Sequence, residues 1–173
     1  MAIFHLSISN GSKSKGKVAA IRAAYLTRSG AFADRDDLVF STSSNLPSWA
    51  ESSHEFWSAA DEHERANARV YRELEFALPR ELDRAAQVKL ANDFARDFTA
   101  EHGLAYTLAV HDSDGHNPHA HLMWCERGND GVERDAPEHF FKQAYTNEPS
   151  RGGAAKVSIF DRRVLLDKNL AGY

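Results

Sequence analysis

Residues 105–126 read AYTLAVHDSDGHNPHAHLMWCE, a pattern that predicts two strands joined by a turn-rich segment. Side chains alternate between the two faces of a strand. If the strands pair antiparallel about Gly115, His111 lies opposite His119. The even-numbered positions then form an apolar face that is suited to packing under helices. These positions are Tyr106, Leu108, Val110, Ala120, Leu122 and Trp124.

The opposite face of this predicted hairpin carries three histidines, His111, His119 and His121. Imidazole nitrogens are common ligands of divalent transition metals, and three of them leave coordination positions open for water or substrate. The sequence therefore predicts an open metal site. The alternative is that one or two of these histidines are polar residues on a half-exposed strand. His116 lies in the turn at the wrong parity and is interpreted as a loop residue.

Periodicity outside the hairpin predicts the other strands and helices. The clearest is a central strand that alternates between apolar and polar residues and ends before Pro79. The predicted strands are residues 3–9, 38–42, 69–78, 105–112 and 118–126. The predicted helices are residues 17–28, 51–66, 83–101 and 137–145. This order predicts an α+β fold with a mostly antiparallel central sheet and helices packed on it.

Two carboxylates, Glu73 and Glu75, share the polar face of the predicted central strand. If that strand neighbours the hairpin, a carboxylate there can orient a histidine ligand or act as a general base. The alternative is that these carboxylates are solvated and paired with Arg69 or Arg72. His5 is predicted to lie on the same face of the first strand.

Composition restricts the class of protein. The chain has 173 residues, 42% of them hydrophobic, and a single cysteine, Cys125. This fits one globular domain, residues 1–173, in a reducing cytoplasmic setting. The sequence lacks a secretory signal and any apolar stretch long enough to cross a membrane.

The net charge of −4 argues weakly against nucleic acid as a partner, but the charge is unevenly distributed. Residues 1–33 contain five basic residues and no acidic residue, whereas the middle of the chain is acidic. A basic segment of this kind can hold a polyanion on one surface. The alternative is a solvated surface whose charges happen to segregate. The five basic residues are Lys13, Lys15, Lys17, Arg22 and Arg28.

Tyr25 lies on an alanine-rich predicted helix, on a stripe with Val18 and Ile21. Spacing alone favours a tyrosine that packs in the core.

Three separated motifs carry a resemblance to a known family. They are AAYLTRSG at residues 23–30, ELEFALP at residues 73–79 and PHAHL at residues 118–122. With them, in this order, nearly the whole chain resembles the MobA/MobL family of plasmid conjugative relaxases, within the HUH endonucleases. A single His-x-His pair would be a weak signal, but three ordered motifs are specific.

The resemblance implies a relaxase fold and a metal-dependent nickase that is specific for site and strand. Such an enzyme cleaves single-stranded DNA at a plasmid origin of transfer through a 5′-phosphotyrosyl intermediate and religates it during mobilisation. By the matching positions, Tyr25 is the nucleophile. Strand parity makes Glu73 and Glu75 the candidates for a carboxylate that assists catalysis, without choosing between them. The implied metal ligands are His111, His119 and His121. The implied DNA contacts are Lys13, Lys15, Lys17, Arg22 and Arg28.

The resemblance also implies partners and a setting. The divalent metal expected in use is Mn or Mg, although the ligands alone do not choose one. Expected partners are the origin DNA, accessory relaxosome proteins and a coupling protein, with no membrane contact. The domain is expected to be the N-terminal part of a longer bacterial cytoplasmic protein.

Two alternatives remain at the level of sequence. One is a rolling-circle replication initiator or transposase with the same metal site, although in those families the tyrosine usually follows the histidine pair. The other is a metal-stabilised nucleic-acid-binding module without catalysis, or a zinc hydrolase that uses bound water. The acidic loop at residues 112–114 departs from what a phosphate-binding site favours.

Overall fold

The centre of the fold is a five-stranded antiparallel sheet with the strand order β1-β3-β5-β4-β2. The computed structural model describes residues 5–15, 18–113 and 115–159. The strands are β1 (Leu6–Ser12), β2 (Leu38–Ser44), β3 (Arg69–Ala77), β4 (Tyr106–His111) and β5 (His119–Trp124). The predicted α+β class, with helices on a mostly antiparallel sheet, is confirmed.

Helices cover both faces of the sheet. The helices are α1 (Ala19–Leu26), α2 (Ser53–His63), α3 (Arg84–Ala100) and α4 (Pro137–Phe141). On one face, α1, α2 and α4 bury an apolar cluster that includes Trp57 and Met123. On the other, α3 packs through Ala91 and Ala95 over Leu108 and Leu122.

The predicted hairpin register is confirmed. His111 pairs with His119, and Ala109 pairs with His121. Gly115 in the turn has φ of +73°, a conformation that glycine adopts without steric cost. The apolar face lies in the α3 layer as expected, and Leu108, Val110, Ala120 and Leu122 are each 0% exposed.

The predicted first strand, residues 3–9, is wrong at its end, since β1 continues to Ser12. Asn10 pairs with Arg72 and Gly11 pairs with Tyr71. An added Cβ at Gly11 would lie 2.1 Å from the Tyr71 ring. The glycine therefore permits close approach to β3 instead of ending the strand. The predicted start of this strand lies partly outside the described residues.

The helix orientation that spacing alone favours is wrong for two of the three residues in the stripe. Ile21 and Val18 point to solvent, 60% and 39% exposed, whereas Tyr25 is half-buried against the core. The buried face is formed by Ala19, Ala23 and Leu26 instead. Because alanine is small, α1 packs closely against α2. A row of larger side chains on this face would increase the distance between the two helices. Close packing of the alanine face was therefore favoured over burial of Val18 and Ile21.

Helices α2 and α3 are shorter than predicted, and capping residues determine where each of them starts. The Ser52 hydroxyl accepts from the Glu55 amide at the start of α2, and the Asp83 carboxylate does the same for Ala86 in α3. The Asp61 carboxylate accepts from the Ala19 amide at 2.8 Å. Helix α4 ends at Phe141, four residues before its predicted end.

Candidate metal centre

The three predicted histidine ligands converge at the hairpin end of the sheet. The ring centroids of His111, His119 and His121 lie 5.1 to 5.5 Å apart. One ring nitrogen from each lies within 4.8 Å of the others. His111 and His121 are buried, while His119 is half-buried. This arrangement can hold a divalent metal ion.

Two of the histidines are oriented by hydrogen bonds from the nitrogen that would not bind the metal. The His121 Nδ1–H donates to Glu73 Oε1 at 2.8 Å. The His119 Nδ1–H donates to the Asn117 carbonyl at 2.7 Å. Both leave Nε2 as the ligand atom, which is the usual pattern in protein metal sites. The donor set therefore fits a metal ion.

His111 is held differently, because its Nε2–H donates to the Leu26 carbonyl at 2.7 Å. That carbonyl belongs to the last turn of α1, where helix carbonyls lack intrahelical partners. The ligand atom of this tautomer is Nδ1, which lies 3.4 Å from Arg28 Nη2. A metal at Nδ1 must therefore displace this contact with Arg28. Burial lowers the pKa of His111 to about 4, so the ring is neutral near pH 7.

Glu73 connects the histidines to α1. Its carboxylate accepts from Arg22 Nε at 2.7 Å as well as from His121. Burial alone would raise the pKa of Glu73, but the hydrogen bonds from Arg22 and His121 outweigh it and lower the pKa to about 2. A carboxylate with so low a pKa is a weak base near pH 7. The geometry therefore favours Glu73 as a group that orients His121.

Glu75 lies at the edge of the cluster. Its Oε2 is 4.0 Å from His121 Nδ1 and its side chain is 35% exposed. His5, which the sequence placed on the same face, lies 3.5 Å from it. The alternative pairing is wrong for Glu73, which is buried and bound to Arg22, whereas Arg69 and Arg72 both bind Glu126. Glu75 is partly solvated, as that alternative expected.

Tyr25 lies in the last turn of α1 among three guanidinium groups. The Cζ atoms of Arg28, Arg22 and Arg35 lie 4.4, 5.1 and 5.1 Å from its ring centroid. Arg35 Nη1 also donates to Tyr25 Oη at 3.3 Å. The competing Tyr71 is only 4% exposed, and burial raises its pKa. Tyr25 is half-buried and lies among cations, whereas Tyr71 is enclosed in the core.

Several predicted DNA-binding residues have partners inside the protein. Arg28 is buried and bound to Asp37, with Nε to Oδ1 at 2.6 Å. Lys13 Nζ donates to the carbonyls of Glu62 and Glu64 at 3.0 and 3.3 Å. Lys17 lies outside the described residues. DNA contact by these residues stays a prediction.

Sequence reasoning missed Arg35 and Asp37. Both lie between the Gly30–Phe32 turn and β2, where no periodicity assigns a side chain to a face. The Arg28 guanidinium holds the pKa of Asp37 at about 2, so this pair fixes Arg28 against both Tyr25 and His111. The only sequence signal was a charged segment just after the tyrosine motif.

The fold and the cluster place the chain among α+β domains whose central hairpin can hold a metal ion. The model of the MobA/MobL family matches residues 14–158. Mobilization protein A of Escherichia coli is 43% identical over 169 residues, covering 97% of this chain and 24% of that protein. The 43 kDa relaxation protein of Salmonella typhimurium is 44% identical over 157 residues, covering 86% of this chain and 41% of that protein. The chain belongs to the MobA/MobL family.

A solved structure is similar in fold. It is described as the molecular basis of vancomycin resistance transfer in Staphylococcus aureus, and it matches with a TM-score of 0.67 at 24% identity. The match covers 96% of this chain and 86% of that one. The chain spans less than half the length of either curated relative. Within the described ranges, no helix is long and apolar enough to cross a membrane.

Proposed function

We propose that this domain cleaves and rejoins single-stranded DNA at a plasmid origin of transfer, with Tyr25 as the nucleophile. One observation carries the proposal: α1 holds Tyr25 and also contacts the histidine cluster, because the Leu26 carbonyl accepts from His111 Nε2 at 2.7 Å. The names of the relatives, a mobilization protein and a relaxation protein, support a role as a conjugative relaxase.

The reaction is an exchange of phosphodiester bonds. Tyr25 Oη attacks the phosphorus and loses its proton, the bond from phosphorus to the 3′ oxygen breaks, and that oxygen takes up a proton. The phosphate stays on Tyr25 and on the 5′ end of the downstream strand. Attack by the free 3′ hydroxyl reverses the step, so strands can be rejoined without an external energy source.

Charge stabilisation comes from the guanidinium groups around Tyr25. Arg35, which donates to Oη, stabilises the negative charge that this oxygen carries when it attacks and when it leaves. Arg22 supplies a second cation beside the ring while its bonds to Glu73 keep it in place. Arg22 is held in place before DNA binds, so little reorganisation of this group is needed during the reaction.

The three histidines would hold a divalent ion, with Mn or Mg as the proposed metal in use. When bound, such an ion neutralises charge on the non-bridging phosphate oxygens. Glu73 keeps the His121 ring turned so that Nε2 faces the site. Glu75 is half-buried and lies 4.0 Å from His121 Nδ1, so of the two carboxylates it is the one that solvent reaches and the better candidate for a proton acceptor.

The biological context is part of the proposal. The chain covers 24% and 41% of the lengths of two curated relatives, and we propose that it is a catalytic domain of a longer protein. We propose that this protein works in the bacterial cytoplasm with accessory relaxosome proteins and a coupling protein.

A covalent adduct tests the chemistry. The protein is incubated with Mn²⁺ and a single-stranded oligonucleotide, labelled at its 3′ end, that carries the transfer origin of its own plasmid, and the products are separated on a denaturing gel. Wild type and Tyr145→Phe, which changes an exposed tyrosine elsewhere, are expected to form the adduct. Tyr25→Phe is expected to form none. Cleavage by wild type without any adduct would contradict the proposal.

A further inference from the structure

An apolar groove lies directly beside Tyr25. It has a volume of about 470 Å³ and is open to solvent along one side. Its walls come from α1, from the turn after α1 and from strands β1 and β3. The lining residues are Ser9, Val18, Ile21, Arg22, Tyr25, Phe32 and Tyr71. Neither the metal ligands nor Glu73 is part of it.

The groove exists because α1 packs with its alanine face inward. Ile21 is the most exposed large apolar residue among the described residues, at 60%. Phe32 completes the opposite wall, held by an edge contact to Tyr25 with ring centroids 5.4 Å apart. Exposed apolar side chains that line one concave surface mark a binding site more often than isolated ones do.

The charge at the rim identifies the kind of ligand. Arg22 lines the groove, and Arg35 lies over the Tyr25 ring with no carboxylate ion-paired to it in the part of the chain that the structure describes. Apolar and aromatic surface next to guanidinium groups is the combination that binds single-stranded nucleic acid, whose bases stack while its phosphates contact cations. A base in a duplex cannot enter, because its faces stack on neighbouring bases and its pairing edge is bonded to the opposite strand.

We propose that this groove binds one unpaired base of the DNA strand, in the nucleotide next to the phosphate that Tyr25 attacks. This inference rests on the proposed function. Holding that base against Val18, Ile21 and Phe32 fixes the phosphate in line with Oη, and it excludes a duplex from the site. The groove thereby contributes to the selection of single-stranded substrate.

A fluorescent reporter in the groove tests the inference. Ile21→Trp puts an indole in the groove, whereas the matched control Leu90→Trp puts one on α3, on the far side of the sheet, at a position 43% exposed. Each variant is titrated with a 20-nucleotide oligo-dT and with an abasic strand of the same length. Binding is followed in parallel by anisotropy of a labelled strand.

A stacked base quenches indole emission and stabilises the complex. For Ile21→Trp we expect oligo-dT to reduce the emission of the added indole, taken as the difference from wild type, about twofold. We also expect oligo-dT to bind about fivefold more tightly than to Leu90→Trp, with neither effect for the abasic strand. Ile21→Ala, which keeps the helix, is expected to bind oligo-dT about threefold more weakly than wild type.

Equal quenching in the two tryptophan variants, or none in Ile21→Trp while anisotropy reports binding, would overturn the inference. The adduct assay separates this from failure of the proposed function. If wild type forms the Tyr25 adduct but the groove variants bind oligo-dT like wild type, only the groove assignment is wrong. If wild type forms no adduct, the proposed function fails first.

Discussion

The two faces of the sheet are built from the same strands, yet they differ in what they hold. On the α3 face, β4 and β5 present only apolar side chains, all of them buried, and the layer is a core. On the α1 face, the same strands contribute to a core around Met123 at the end far from the turn. At the end near the turn they carry the three histidines. Strand parity thus confines the histidines to the α1 face, and their position near the turn separates them from the core of that face.

The difference between the faces can be tested by substitutions that should affect one property and spare the other. His121→Ala removes a proposed metal ligand. We expect the affinity for Mn²⁺ to fall on the order of 1000-fold, well beyond the roughly 10- to 100-fold loss seen when only an orienting group is removed. Isothermal titration calorimetry measures this. The control His116→Ala changes an exposed residue of the same hairpin, and it should bind Mn²⁺ like wild type.

Leu122→Ala makes the opposite test on the neighbouring residue of β5. Leu122 is 0% exposed in the α3 layer, so the truncation should lower the free energy of unfolding by about 3 kcal/mol. Chemical denaturation measures this loss. Affinity for Mn²⁺ should stay within about twofold of wild type, since no ligand is touched. A large loss of metal affinity here would mean that the two faces are not separable.

Glu73→Gln changes a residue that orients the ligand His121 and is not itself a proposed ligand. Glutamine keeps the shape of the side chain but removes the charge that holds Arg22 and orients His121. Mn²⁺ affinity should fall about 10- to 100-fold. Glu75→Gln is the matched control, and its effect should be smaller because Glu75 is 4.0 Å from His121 Nδ1. Equal losses in both variants would contradict an orienting role specific to Glu73.

The pH dependence of stability reports on His111 in metal-free protein. Burial lowers its folded pKa to about 4, below the roughly 6.5 of an unfolded chain, so the unfolded state binds the proton first. The stabilisation is present above about pH 6.5 and is lost as the pH falls toward 4. Between pH 6 and 5 we expect a loss of about 1 kcal/mol.

Unfolding by urea in EDTA at pH 7, 6 and 5 measures this slope. His111→Gln should flatten the slope, whereas His116→Ala should keep it. An unchanged slope in His111→Gln would show that other groups cause it.

The sequence determined the hairpin and its histidine cluster because strand parity and a single turn fix the register. The pairing of His111 with His119 followed from the position of Gly115 alone. The place of Glu73 beside His121 was conditional on which strands are neighbours, and only the sheet order resolved it. Strand order depends on contacts that are far apart in the chain, which local periodicity does not encode.

The orientation of α1 was mispredicted for a different reason. An alanine-rich helix has two candidate buried faces, one made of large apolar residues and one made of small ones. Close packing on α2 selected the small face, through Ala19 and Ala23, and left Ile21 in solvent. Arg35 could not be assigned at all, because loop residues carry no period. The proposed base-binding groove lies beside these two features, the exposed face of α1 and Arg35.

The most direct test of the central claim is to locate the DNA on the protein. The adduct formed by wild type with its origin oligonucleotide is digested with nuclease and trypsin and analysed by mass spectrometry. We expect a nucleotide joined through its 5′ phosphate to residues 23–28, the tryptic peptide that contains Tyr25. Modification of residues 70–72, which contain Tyr71, or of the peptide with Tyr145 would contradict it.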